Sequence, residues 1–584
     1  MHDKSRFVTI GERARKVAAM PLLAAWVAAL GSVASVAAQQ PTADRILQGG
    51  AIRTTDGWAE AIAIGRGVIL AVGSAEEIAP YRTVRTEVID LQGAAVLPGL
   101  HDLHVHPLGA GMAQVQCQFP QGSTRQRIVA AVKDCAGRRA PGEWITGGQW
   151  DATSYGAEAI DRAVLDAAAP EHPVVLTDIS GHSVWANSRA LELAGITAAT
   201  PNPPGGIIER DGAGRVTGVL RESAAGLVRS RVPPTTPEQA AQALRASLER
   251  MLAHGITSFV DAGVDGTTLQ AYAALADQGV LKQRVTACMM WRRAAFGVPG
   301  AGTPEFVAQR QLFARDRLTP DCIKLVLDGV PTDGHTAAMV EPYEHSHGET
   351  GLLLIPAAEL NALVSVLDAR GFTVKMHAAG DGAVRAGLDA IAAARAANGY
   401  TGLLHNVAHN SFVQPNDIQR ARAIGAVFEM SPYIWYPNPI IPDIEKAVGA
   451  ERMRRWIPVR DAIDAGALVV PGSDWPVVPE VNPWLALETL VTRRTPGGAG
   501  EELGASQRIT LPQAFDLFTA NAARALHRRD RTGAIERGML ADLVVVDRNP
   551  FAIPITEVHR IQVQMTLIEG EIVYRSGAAA TPAR

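Results

Sequence analysis

Between residues 96 and 474 short apolar runs recur, and alanine-rich stretches with helical spacing separate them. The runs are 96–106, 256–263, 284–290, 322–328, 372–377, 403–409, 425–431 and 467–474, and segments such as 240–253 and 382–397 suit the intervening helices. Runs this short that are apolar on both faces are strands of a parallel sheet, covered by helices on either side. Eight of them alternating with helices predict an α/β protein, a (β/α)8 TIM-like barrel. An open doubly wound sheet would need a glycine-rich phosphate turn after an early strand, and the sequence has none.

Both ends of the chain have a different texture. Ile46 to Ile52, Ala61 to Ile64 and Val68 to Gly73 are short runs broken by glycine, and the same pattern returns at Asp542 to Asp547 and Met565 to Gly570. This is antiparallel patterning, and neither end has enough strands to bury both faces alone. The two ends, 43–95 plus 528–577, are therefore expected to share one β-sandwich domain. That leaves 96–527 for the barrel, with an inserted subdomain at about 108–240, an interval too long for a βα connection.

Residues 1–38 read as a secretory signal peptide. Lys4, Arg6, Arg13, Arg15 and Lys16 precede the apolar stretch Met20 to Val36, and Val36-Ala37-Ala38 forms a small-residue cleavage site before Gln39. An uncleaved membrane anchor is the alternative reading of that stretch. A periplasmic or secreted protein is expected, with no stable membrane association after cleavage. Cys117 and Cys135 flank one short segment and are expected to pair in an oxidising compartment, whereas Cys288 and Cys322, inside apolar runs, read as buried thiols. A net charge of −4 from 55 basic and 59 acidic residues, with no basic run, excludes a nucleic-acid partner. The expected partner is a small-molecule substrate, and assembly as a homodimer is left open.

In a barrel the chemistry sits at the C-terminal ends of the strands. His104 and His106 close the first strand on one face, His377 ends the fifth, His409 the sixth and Asp474 the eighth. Each has a structural explanation taken singly: a satisfied core histidine, or a helix cap at Asp474. Five ligand-type side chains at one rim exceed the three that a single catalytic zinc needs, and imidazole with carboxylate suits zinc or a similar divalent ion. Lys324, flanked by Ile323, Leu325 and Val326, is costly to bury as an ammonium and must snorkel, lose its charge or be modified.

With the patterns PGLHDLHVHP (Pro98 to Pro107), HAAGD (His377 to Asp381) and GSDWP (Gly472 to Pro476), together with Lys324 and His409, the chain resembles the amidohydrolase superfamily. Within it the likeness is to amidohydrolase family 3, the branch that includes N-substituted formamide deformylases, and it spans nearly the whole chain after the signal. The resemblance implies two divalent ions per chain, read as Zn2+, with His104, His106 and Asp474 on one, His377 and His409 on the other, and Lys324 carboxylated to bridge them. It also covers Gly181 to Ser188, Thr217 to Glu222 and Gly538 to Asp542, which places His182 either as a substrate-contacting catalytic group or as a structural one. Trp150 and Asp151 stay undecided in the same way. His335 stands where relatives often have arginine and Ala408 where an acid is common, which weakens substrate inference without removing a ligand.

The expected activity is hydrolysis of a small amide or related C–N bond, of N-acyl or N-formyl type. A water shared by the two ions attacks, and Asp474 carries its proton to the leaving amine. The alternatives are the same site acting on a lactone, carbamate or phosphotriester, a non-catalytic periplasmic metal- or ligand-binding protein, and a structural barrel with incidental histidines.

Overall fold

Eight parallel strands pair in chain order: Leu100–Val105, Ile256–Val264, Arg284–Met290, Leu318–Val326, Thr373–Ala378, Asn406–His409, Val427–Met430 and Leu468–Pro471. The first and last meet at their C-terminal ends, where the Asp474 N–H donates to the His104 carbonyl (2.7 Å) and the His106 N–H to that of Trp475 (2.8 Å). The sheet thereby rolls into the expected barrel. This computed structural model describes residues 41–577 apart from 152–159, 292–306, 333 and 432–439, so the signal peptide expected over 1–38 lies outside the described residues. Among the described residues no helix is long and apolar enough to cross a membrane.

The two chain ends build one eight-stranded β unit. Its order is Glu571–Arg575, Val563–Ile568, Leu543–Val546, Ala95–Pro98, Arg45–Thr54, Gly57–Gly65 and Val68–Gly73, with Glu87–Asp90 beside Arg45–Thr54. It curls until Val68 bridges Leu540, and its inward side chains, Leu47, Ile62 and Val96 from one end with Leu543 and Leu567 from the other, share a single core. The apolar run at 96–106 does not form one strand. Ala95–Pro98 belongs to the end sheet and Leu100–Val105 to the barrel, and the chain changes sheet at Gly99, whose N–H donates to Asp542 O (2.9 Å). A Cβ there would sit 2.5 Å from two side-chain atoms of Thr257, so the crossing needs glycine.

The interval from about 108 to 240 holds a six-stranded sheet of its own, ordered Gly206–Arg210, Val216–Glu222, Ser183–Ala186, Val174–Asp178, Ile145–Trp150 and Cys117–Gln118. The expected Cys117–Cys135 disulfide is present, with Cα atoms 5.9 Å apart, and ties the edge strand of this sheet to the helix Arg125–Gly137. The helix Pro237–Leu252 brings the chain back to the barrel. It starts on a capping box formed by Thr236 and Gln239, with Pro237 in its first turn, and buries the stripe Ala240, Leu244, Leu248, Met251. Burying each of the large side chains in that stripe contributes roughly 1.5–3 kcal/mol. Ser247 Oγ donates to Pro107 O (2.7 Å), which fixes this helix against Pro107–Ala113, directly after the His-x-His pair.

Inside the barrel the layers differ in chemistry. Leu103, Val260, Cys288, Cys322, Val427 and Val470 fill the lower interior, with Ala522, Ala525 and Leu526 packed against them. Two residues further along their strands stand Lys324, Lys375 and Glu429, and the histidines lie at the strand ends beyond them. Cys288 and Cys322 are not the free thiols expected from their sequence environment. They are register partners on the third and fourth strands and form a disulfide, with Cα atoms 4.2 Å apart. Each apolar run taken alone carries no information on register, so the sequence could not set the two sulfurs face to face.

Candidate metal centre

Strand ends position every expected ligand. Nε2 of His106 lies 3.3 Å and Nε2 of His104 3.6 Å from Asp474 Oδ1, and one ligand atom from each of the three residues falls within 4.8 Å of the others. Nδ1 of His409 is 3.8 Å from Asp474 Oδ2, and its ring centroid is 4.6 Å from that of His104 and 4.4 Å from that of His377. Lys324 Nζ reaches to 3.2 Å from His104 Nε2. The structure thus gathers His104, His106, Lys324, His377, His409 and Asp474 in one cluster at the C-terminal mouth. His182 joins them from the inserted sheet, its ring centroid 4.8 Å from that of His377.

Two of these residues hold strained backbone. His409 has φ +74° and Asp474 φ +58°, the left-handed region that a side chain enters only when its surroundings hold it there. Asn410 helps fix the turn after His409, its Nδ2 donating to Val407 O (2.8 Å) and Glu429 O (2.9 Å).

The donor chemistry fits a metal. Burial, with the charge of Lys324 and the neighbouring imidazoles, pushes His104, His377 and His409 well below the ordinary histidine value, so their lone pairs are free. Burial, reinforced by Lys375, also brings Lys324 down to about 7. Two outward nitrogens are oriented as metal-binding histidines require, His104 Nδ1 against the Glu429 carboxylate and His377 Nε2 on Gly329 O (3.0 Å), while His409 Nδ1 bonds Ser431 Oγ (3.1 Å) beside Asp474.

Sequence reasoning missed the groups that support these ligands. Glu429 pairs with both His104 and Lys375 (3.2 Å) at the centre of the barrel. Asp102 Oδ1 accepts from the N–H groups of His104 (3.1 Å) and Ser473 (3.0 Å), tying the first strand to the loop that carries Asp474. Asp328 accepts from the N–H groups of Ala338, Ala379 and Gly380, and burial raises it to about 8 although those donors pull the other way. Glu222 receives His182 Nδ1 at 2.9 Å. Burial alone would lower His182, but Glu222, Asp178 and Asp328 outweigh it and raise its pKa. All four acids sit inside or beside apolar runs, the same signal that singled out Lys324.

Of the undecided pair, Asp151 is buried. Trp150 is buried in the inserted subdomain with Nε1 on Leu176 O (3.0 Å), which is a structural role. His335 stacks on Tyr343, ring centroids 4.4 Å apart, and bonds Glu349 (3.0 Å). Around His182, His377, His409 and Asp474 lies a chamber of about 50 Å3 whose walls are mostly apolar, made by Ile179, Val330, Ile440, Ile444, Trp456 and Val477 with Ser180 and Ser411. A cavity of about 670 Å3 runs from His106 between the inserted sheet at Thr146 and Val175 and the barrel at Asp261 and Asp265.

A TIM-like barrel with paired histidines on its first strand, two more on its fifth and sixth, and an aspartate after its eighth defines a metal-dependent hydrolase. The model of the amidohydrolase family matches residues 87–574, and the chain belongs to that family. It is 28% identical over 538 residues to N-substituted formamide deformylase of Arthrobacter pascens, covering 90% of this chain and 98% of the relative. It is also 28% identical over 528 residues to the protein LONG AFTER FAR-RED 3 of Arabidopsis thaliana, covering 87% and 88%. Among solved structures, a metal-dependent hydrolase from Pyrococcus horikoshii OT3 superposes with TM-score 0.68 at 24% identity, covering 88% of this chain and 99% of that one.

Proposed function

We propose that this hydrolase cleaves the C–N bond of a small N-acyl or N-formyl amide, releasing a carboxylic acid and an amine, and that it does so in the periplasm or after secretion. The observation that carries the reading is the cluster of His104, His106, Lys324, His377, His409 and Asp474 at the barrel mouth, of which His377, His409 and Asp474 open with His182 on one small chamber. Two divalent ions, read as Zn2+, would be held by His104, His106 and Asp474 and by His377 and His409, and would supply an acidified water and polarisation of the substrate carbonyl. Lys324 would join them as a carbamate. Its low pKa makes the free amine that carbamate formation needs available near neutrality, and it reaches the His104 ring at 3.2 Å.

The chain's own groups divide the remaining work. Asp474 accepts the proton of the attacking water and returns it to the nitrogen of the leaving amine, which converts a poor leaving group into a good one. His182 donates Nδ1–H to Glu222, and the raised pKa of the imidazole equips Nε2 to donate to the substrate carbonyl. The apolar walls beside the histidines keep bulk water from the reacting carbon, and the cavity of about 670 Å3 that begins at His106 has room for the substituent. The relative from Arthrobacter pascens supports the bond type, and the two disulfides together with the amino-terminal pattern support an oxidising compartment.

A panel of N-formyl and N-acyl amines, carbamates, lactones and phosphotriesters, assayed with metal-replete protein, tests the reading. Turnover should be highest on the amides, with acid and amine released in equal amounts and activity lost on chelation. A preference for lactones or phosphotriesters would move the bond type, and no turnover on any class would favour a metal-binding role without catalysis.

A further inference from the structure

A cavity of about 520 Å3 lies at the opposite end of the barrel from the metal centre. It lies between the N-terminal halves of the third to sixth strands, at Thr319, Thr373 and Asn406, and the segment that follows the helix Ala522–Ala525, at Arg528 and Arg531. The buried apolar layer of Leu103, Val260, Val427 and Val470 stands between it and the histidines.

Arg528 is the unusual member. Its Nη1 is buried with no hydrogen-bond partner, and among the described residues no carboxylate pairs with its guanidinium. The acids that attract it most, Asp542 and Asp316, do so without an ion pair, and Asp542 is already engaged by Arg284. Arg528 as a whole is only partly buried, but an arginine always carries its charge, and an Nη1 closed off from water without an acceptor is costly. The other charged groups lining the cavity do not supply one. Lys375 is taken by Glu429 (3.2 Å) and Asp321 by Arg310 (2.6 Å), so of the charged groups on the cavity wall two guanidinium groups, Arg528 and Arg531, and one carboxylate, Asp530, remain. The hydroxyls of Thr319 and Thr373 and the amide of Asn406 add neutral hydrogen-bonding groups to the same walls.

We propose that this cavity is a binding site for a small oxyanion, a carboxylate or a phosphate- or sulfate-bearing compound, held by the guanidinium of Arg528 with help from Arg531. A planar guanidinium matches two oxygens of such a group at once, and the volume admits an organic substituent beyond the oxyanion. The bound anion would satisfy Nη1 and neutralise the partly buried charge, so the site should act on stability, with the metal centre left as it is.

Sulfate is the probe, because it does not strip divalent ions as phosphate does. Thermal unfolding of the full metal-replete protein is followed over low millimolar sulfate, with chloride adjusted to hold ionic strength constant. The parent should show a saturable rise in midpoint. Arg528→Met should start from a higher midpoint in chloride, because an uncompensated charge is gone, and should not respond to sulfate. Arg528→Lys, which keeps the charge without the fork, should respond with weaker half-saturation. A parent response that is linear and matched by Arg528→Met would be the general salting effect of sulfate and would overturn the proposal. So would a lower starting midpoint for Arg528→Met. Should that variant fail to fold, calorimetric titration of sulfate into the parent decides: one saturable site supports the proposal, and no heat of binding refutes it.

Discussion

A carboxylate at position 474 can hold a metal and accept a proton, whereas an amide of the same shape can only ligate. Asp474→Asn is therefore expected to keep the thermal midpoint within the small range of a one-atom change and to lower kcat by about 10²–10⁴-fold, the loss typical of general acid–base help. Kinetics with metal content measured in parallel test this. Near-normal kcat at full metal occupancy would pass the proton to another group, His182 first. The side chains that gather at the rim were legible in the sequence, because histidines and an aspartate at the ends of apolar runs, and a lysine inside one, are conspicuous there. What supports them was not. Glu429 and Lys375 lie inside apolar runs just as Lys324 does, but only the strand register shows Lys375 beside Lys324 and Glu429 within reach of His104. A charged residue buried in one strand is interpretable only through its partner on another.

At the scale of elements, the eight strands were legible from their runs, since a parallel strand under helices needs no turn chemistry to announce it. The end of the first run was not. The stretch 96–106 is uniformly apolar before its histidines, yet Ala95–Pro98 pairs antiparallel with Leu543–Val546 while Leu100–Val105 pairs parallel with Ile256–Val264. The sequence sign of that change is a single glycine, and it becomes decisive only once Thr257 is known to lie against it. Gly99→Val should therefore force the end sheet and the barrel apart and destabilise the protein by about 1–3 kcal/mol, the usual penalty of overpacking. Gly137→Ala, in the last turn of Arg125–Gly137 with nothing within 4 Å of the new methyl, is the control and should be neutral or slightly stabilising. Denaturant midpoints compare the two, and an unchanged midpoint for Gly99→Val would mean that the crossing is not tightly packed. The Cys288–Cys322 bond belongs to the same scale, because it depends on two strands being neighbours in register.

For the molecule as a whole, folding places several histidines where they must be neutral. His405 is the clearest: its Nδ1 accepts the Val374 N–H (3.0 Å) and its Nε2 bonds Asp368 (2.8 Å), so a second proton would break the bond to the backbone. Burial lowers it to about 4, and burial likewise lowers His254 to about 4 and His101 to about 3. The unfolded chain takes up these protons near the ordinary value of 6.5, so between about 6.5 and 4 it binds more protons than the folded protein. Stability must then fall as the pH drops through that window, by up to about 1.4 kcal/mol per pH unit for each such group. Buried carboxyls act in the opposite sense. Asp102, raised to about 7, and Asp328, raised to about 8, cost stability as the pH rises through their range. The total slope is thus a mixture, and only a difference isolates one residue. His405→Gln keeps an acceptor and a donor and removes the titration. Relative to the parent its unfolding free energy should be lower at pH 7, and the gap should narrow steadily between pH 6 and 4.5. Because the metal centre and the carboxyls are common to both proteins, a gap that stays constant across that interval would mean that His405 is already protonated in the fold, and the neutral tautomer argued from Val374 and Asp368 would be wrong.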